Sequence, residues 1–345
     1  MAYTTIDNPE LYFQTKLYTG NGSNGNAQTF DGDENMQPDF VWIKSRSAAE
    51  NHHIFDSVRG ANVRLMPNAT NADFDDSSNL QSFDSDGFTL GTADGINKNT
   101  ATFVCWGWKA SGSTASNSDG SITSSVSANT TAGFSIVSYT GTGSNATVGH
   151  GLGVAPSFVI VKDRGNAVSW VVSGDNIGWK KNVYLNVTQA VQTANHFQDT
   201  APTSSLMYLA TDVAVNGSSR NYIMYCFAEK KGYSKFGSYT GNRNADGTFV
   251  YTGFKPAFIL GKNTNAANGW YMFDNKRDVS NVVDTYLVAS ANAAEATYTA
   301  LDFLSNGFKV RATNSDWNGS GNEIIYMAFA ENPFVTSGGI PCTAR

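Results

Sequence analysis

The chain has 345 residues, of which 15% are charged and 12% aromatic, with 33 Gly and a net charge of −6. That length suits two or three domains with cores of their own, and the aromatic content excludes a disordered chain. The 23 Lys and Arg are scattered, so the basic stripe of a nucleic-acid groove is missing, and no stretch nears the roughly 18 apolar residues of a membrane span.

Taken in order, residues 1–16 read as a lead-in without the basic-then-apolar pattern of a secretory signal. Three matched openings then appear at Leu17-Tyr-Thr-Gly20, Ser138-Tyr-Thr-Gly141 and Ser238-Tyr-Thr-Gly241. Each leads through an Asn- and Gly-rich loop to a second matched stretch: Pro38-Asp-Phe-Val-Trp-Ile-Lys44, Pro156-Ser-Phe-Val-Ile-Val-Lys162 and Pro256-Ala-Phe-Ile-Leu-Gly-Lys262. The first loop carries a small insertion around Asp31-Gly-Asp-Glu34. The Pro-x-Phe stretches read as strands entered at a sheet edge, where a leading Pro is tolerated.

Further on come Phe55-Asp-Ser-Val-Arg59 and Phe273-Asp-Asn-Lys-Arg277, whereas the middle copy has Ser173-Gly-Asp-Asn176. A Gly-Phe turn and strand follows at Ser85–Leu90 and Ser305–Val310, with a degenerate counterpart expected at Ala210–Val215. Patches 189–195 and 291–300 read as single helical turns or loops. Each copy closes on an apolar-aromatic run: Phe103–Trp108, Tyr222–Phe227 and Ile324–Phe329.

The expected architecture is all-β, with three tandem homologous β-sandwich-like domains. Their bounds are 1–109 (lead-in and first repeat), 133–231 and 232–334, with a C-terminal extension at 335–345. The Ser-, Thr-, Asn- and Gly-rich residues 110–132 read as a linker or exposed loop, leaving the first repeat freer than the other two. Cys105, Cys226 and Cys342 have no paired spacing, which points to a reducing compartment and a fold without disulfides.

Chemistry is sparse. His52 and His53 point to opposite faces of a strand, and His150 and His196 stand alone, so they make poor metal ligands and read as exposed or loop residues. Asp56 with Arg59, and Asp274 with Arg277, have the polarity to hold a sugar. They read better as turn carboxylates paired with Arg, tying strand to loop. Lys44, Lys162 and Lys262 read as strand-end residues whose stems pack while the charge stays in water. Asp73, Asp75, Asp76, Asp84 and Asp86 have the acidic density of a calcium loop without its spacing. Glu229 and Glu331 read as repeated strand ends, and Trp179, Trp270 and Trp317 as loop aromatics or packing residues. No nucleophile, phosphate-loop or dinucleotide motif appears. No catalytic, cofactor-binding or metal residue is assigned, and the chain is expected not to be an enzyme.

With these openings, Pro-x-Phe strands, Phe-Asp-x-x-Arg motifs and Gly-Phe turns, residues 8–334 resemble a repeat family found in structural and tail-fibre-like proteins of marine tailed bacteriophages, particularly short-tailed ones. The resemblance implies a virion protein made in the host cytoplasm: a tail fibre or tail-associated appendage contributing to host attachment. Its implied partners are other virion proteins, a host surface glycan or protein, and copies of itself in a trimer, with neither nucleic acid nor membrane insertion. A capsid decoration or head-fibre protein is the alternative, and a carbohydrate-binding or glycan-degrading module a further one.

Overall fold

A computed structural model describes residues 3–343 of the chain. Apart from single helical turns it is all-β, and its large sheets are antiparallel. Residues 13–108 contribute a six-stranded sheet and a three-stranded one, and residues 115–227 an eight-stranded and a two-stranded one. Residues 234–333 contribute a second eight-stranded sheet.

The large sheets share one spine. The opening strands Phe13–Thr19, Phe134–Thr140 and Ser234–Thr240 pair with the closing strands Thr102–Trp108, Asn221–Phe227 and Glu323–Pro333. Those pair in turn with Phe40–Ser45, Phe158–Asp163 and Phe254–Asn263. The registers coincide: Phe40, Phe158 and Phe258 stand opposite Trp108, Phe227 and Phe329. The Pro-x-Phe stretches are therefore interior strands, flanked on both sides, and the expected edge position is corrected. Pro256 is accommodated at a register shift next to Lys255.

Strand alternation divides each spine between two cores. Phe40 and Trp42, Phe158 and Ile160, and Phe258 and Leu260 enter one cluster common to all three sheets. Val41 and Ile43, Val159 and Val161, and Ile259 face the opposite way, into clusters belonging to each segment alone. The closing strands divide likewise, with Trp106 and Trp108, Tyr225 and Phe227, and Met327 and Phe329 in the common core. Burial on both faces is why these stretches read as unbroken apolar runs. In the common core Phe40 meets Phe134, Phe158 meets Phe236, and Phe258 meets Phe13, at centroid distances of 5.9, 5.9 and 5.8 Å. Each such ring contributes about 1.5–3 kcal/mol by burial. The first segment is thus as firmly seated as the others, contrary to the freedom expected of it.

Residues 110–132 are not merely a linker. Ala115–Asn117 and Ser124–Asn129 extend the second sheet beyond Phe134–Thr140. Ile122 and Val126 carry the packing, because both lie in that segment's own core. Patches 189–195 and 291–300 hold the strand Gln192–Thr193 and the start of Ala296–Leu304. The counterpart of the Gly-Phe strand is Leu206–Leu209, where Met207 takes the buried place of Phe88 and Phe308. Residues 210–215 instead lead into the turn Val213–Asn216, matching Asp94–Asn97 and Ser315–Asn318. Of the expected extension 335–345, residues up to 343 are described, with Val335 bridged to Pro341.

Candidate functional site at the boundaries between the sheets

The motif with the strongest chemical promise lies where the sheets meet. Asp56 ends the strand His53–Asp56, and its Oδ1 accepts the backbone N–H groups of Val58 and Arg59 at 3.1 and 2.8 Å. Its Oδ2 accepts Arg59 Nε at 2.6 Å and the hydroxyl of Tyr225, from the second sheet, at 2.7 Å. Arg59 spends its remaining donors on the carbonyls of Val63 and Ile54. Asp274 repeats the pattern, taking N–H groups from Lys276 and Arg277, Arg277 Nε at 2.6 Å, and Trp106 Nε1, from the first sheet, at 3.1 Å.

Both ion pairs are sealed from solvent. Burial opposes the Arg59 charge, but Asp56 and then Tyr225 outweigh it and hold the guanidinium above its ordinary pKa. Burial raises the Tyr225 hydroxyl well above its usual value, so it remains a donor. The carboxylates have four protein donors each and no opening to a ligand. A sugar-binding role for them is corrected by that burial, and the turn-carboxylate reading is met with an added donor from the neighbouring sheet.

Further rings follow the same sense. Fourteen residues after each leading Pro stand His52, Trp170 and Trp270. Trp170 Nε1 donates to the Met66 and Ala69 carbonyls of the first segment at 3.1 Å, and Trp270 Nε1 to Tyr184 O of the second at 2.9 Å. His52 Nε2 lies 3.1 Å from Val288 O of the third. Trp42 Nε1 donates to His52 Nδ1 at 3.0 Å, so the proton of this ring sits on Nε2 and faces Val288. Eight residues after each Pro, the carbonyls of Arg46, Arg164 and Thr264 accept backbone N–H groups from Glu295, Asp73 and Val191. Two of these joints carry an ion pair as well, Arg46 with Glu295 and Arg164 with Asp73. In each of these bonds the first segment reaches the third, the second reaches the first, and the third reaches the second.

The lysines are not at the water surface, which corrects their expected role. Lys44, Lys162 and Lys262 are buried, and burial pushes each down to about 8. Carbonyls take the ammonium groups: Ser45 and Ala48, Asp163 and Asn166, and Asn268 together with Thr188 of the second segment. A Lys reaching carbonyls at a loop base closes that loop, a use that the strand pattern did not reveal.

The other candidates disperse. All four histidines are buried rather than exposed; His52 faces the common core, while His53 stacks on Phe55 on the opposite side. Asp76 caps Ser78, Asp84 accepts from Ser82 and Thr89, and Asp86 accepts the Met36 N–H, so these acids do not converge. Glu229 pairs with Lys235 and Glu331 with Lys255. Trp179, Trp270 and Trp317 are packing residues, all buried.

Sequence reasoning missed Asn97, Asn216 and Asn318, the last residues of the three helical turns. Each is buried, and its amide holds the loop after Tyr-Thr-Gly: Oδ1 accepts from Asn21, Thr142 or Asn242, and Nδ2 donates to Gly91, Ala210 or Ala312. Tyr18, Tyr139 and Tyr239 donate to the same turns. The available signal was an Asn at fixed distance before each closing strand.

This arrangement spans one family profile, which matches residues 8–333. The chain belongs to the family described as Domain of unknown function (DUF7483). The DUF7483 match runs from the lead-in to the last residue of the closing strand Glu323–Pro333, so it takes in the three large sheets and the joints between them. No curated protein matches the chain. Among the described residues of this DUF7483 chain, no helix is long and apolar enough to cross a membrane.

Proposed function

We propose that this DUF7483 chain is a non-catalytic structural protein made of three tandem, homologous β-sandwich-like domains that close on one another as an internal pseudo-trimer. The observation that carries the reading is the fate of the Asp–Arg pairs. The carboxylates best suited to ligand chemistry are buried, paired with Arg and bonded across to neighbouring sheets. A body of this kind, with few charges and rigid joints, suits an outward-facing part of a phage particle, where seawater salt screens charge steering. Support for that setting comes from the resemblance of residues 8–334, which favours a tail fibre or tail-associated appendage engaged in host attachment.

Quantitative mass spectrometry of purified particles tests the reading. Small multiples per particle are expected for a tail component, whereas tens to hundreds would move the chain to capsid decoration, and absence would remove it from the virion. Incubation with host surface glycan tests the non-catalytic part, which released oligosaccharide would overturn. The expected trimer is tested by sedimentation at micromolar concentration, where a mass of one chain removes it from the proposal.

A further inference from the structure

Each segment has a gap between its opening strand and the short strand that faces it across its own core. In the first segment, residues 29–36 fill the gap: Phe30 and Met36 are buried in that core, and Gln14 holds Gly32 and Glu34. In the second, residues 110–132 fill it. Ser124–Asn129 adds to Phe134–Thr140, with Val126 opposite Val137, and Ile122 donates its N–H to Thr147 O on the facing strand Ala146–Gly149. In the third segment the gap is open, forming a groove of about 530 Å³ between Ser234–Thr240 and Phe249–Tyr251.

The groove has the features of an unfilled strand site. The bonds Ala330 N–H to Tyr233 O and Gly241 N–H to Asn322 O fix which residues of the opening strand face Glu323–Pro333. By alternation, Phe236 and Ser238 direct their backbone groups to the free edge. Asn176 Nδ2 takes the Phe236 carbonyl. Gly237 stands where Val137 stands in the second segment, and Tyr326 lies over it as the groove floor, since a Cβ on Gly237 would fall 2.5 Å from the Tyr326 hydroxyl. On the lip, Phe249 is 46% exposed and Tyr251 52%, where the filled site has Thr147 and Gly149.

We propose that this groove binds an extended, uncharged segment of a partner polypeptide. The segment adds as an antiparallel strand to Ser234–Thr240, as Ser124–Asn129 does to Phe134–Thr140, and places an aliphatic side chain opposite Gly237. Its chemistry is read from the internal occupant of the equivalent gap, Ser-Ser-Val-Ser-Ala-Asn. The inference stands on the three equivalent gaps and does not depend on the virion setting.

The test titrates the full chain with a synthetic, end-capped peptide of residues 120–130, which has no charged side chain. Saturable binding is expected, with exchange of the Ser238 amide slowed roughly tenfold or more. Ser238→Pro removes an N–H that faces away from the closing strand, so its melting temperature is expected to match the unaltered protein while its affinity falls roughly tenfold. A peptide with Val126→Asp is expected not to bind. Absence of saturable binding, or equal binding by Ser238→Pro and by the Val126→Asp peptide, would overturn the proposal. A sedimentation mass above one chain that Ser238→Pro restores to one would also overturn it, by making a second copy the occupant.

Discussion

Tyr225 donates its hydroxyl to Asp56 at 2.7 Å across the boundary between the second and first sheets. Trp106 occupies the same strand position in the first sheet and makes the corresponding bond to Asp274 of the third. The third member of this position is Met327, and the second segment, which it should meet, has Gly174 and Ile177 in place of Asp and Arg. Donor and acceptor are both absent at one joint of three, where the apolar Met327 and Ile177 stand in the common core instead.

Tyr225→Phe is expected to destabilise the fold by about 1.5–3 kcal/mol, the range for one buried hydrogen bond to a charged group. Urea unfolding measures it, and a cycle with Asp56→Asn isolates the cross-sheet share. Additive losses would mean that the Tyr225 bond contributes nothing of its own.

The apolar joint should be transferable. Asp56→Gly alone strands the Arg59 charge in the core and is expected to lose about 3–5 kcal/mol. Combining Asp56→Gly, Arg59→Ile and Tyr225→Met copies the Gly174, Ile177 and Met327 set, and is expected to recover at least half of that loss. A triple variant less stable than the single one would show that the two kinds of joint are not equivalent.

Much of this was legible in the sequence, for a physical reason. Strands buried on both faces need apolar residues at every position, so Phe40–Ser45 and its counterparts stand out from the Asn- and Ser-rich loops. What they pack against was not legible. Alternation places Trp42 and Ile43 on opposite faces but cannot say that one face meets a neighbouring segment. Lys44 misled for a related reason: a Lys closing an apolar run looks the same whether its ammonium reaches water or the carbonyls of Ser45 and Ala48. The strands within 110–132 were hidden by composition, because a filler strand bonded through its backbone needs few apolar residues, here Ile122 and Val126.

His52 gives the fold an acid-sensitive joint. Burial first, and the Lys44 charge second, hold its pKa well below the ordinary value. Protonating Nδ1 would expel the Trp42 donor. The unfolded chain takes up this proton near pH 6.5, so the stability contribution is complete above that pH and declines as pH falls below it. The expected slope is about 1.4 kcal/mol per pH unit for one such group. His52→Trp, the residue used at positions 170 and 270, should remove one proton's share of the decline between roughly pH 6.5 and 5. Paired urea titrations of both proteins measure the difference, and parallel pH profiles would exclude His52 as the source.

The buried lysines act at the other end of the pH scale. Lys162 is pushed down to about 8 by burial, with Asp163 and Asp73 offsetting only part of that effect. An unfolded Lys titrates near 10.4, so between these values the unfolded chain holds more protons than the folded one. The Lys162 share of stability therefore rises with pH across this window, the reverse of what a paired surface Lys would give. Burial also raises the thiols of Cys105 and Cys226, whose opposing contribution begins near pH 8.5, and the hydroxyls of Tyr139, Tyr225 and Tyr239, whose opposing contribution stays above about pH 10. From pH 7.5 to 9.5 the Lys162 share of the gain is expected to be on the order of 1–2 kcal/mol. Lys162→Met leaves the Asp163 and Asn166 carbonyls without their donor, so it should be less stable at every pH while lacking this share of the rise. The slope rather than the absolute stability is the diagnostic quantity, because cavity and hydrogen-bond losses do not depend on pH. A Lys162→Met profile with the same slope as the unaltered protein between roughly pH 7.5 and 9.5 would place this ammonium group in water after all.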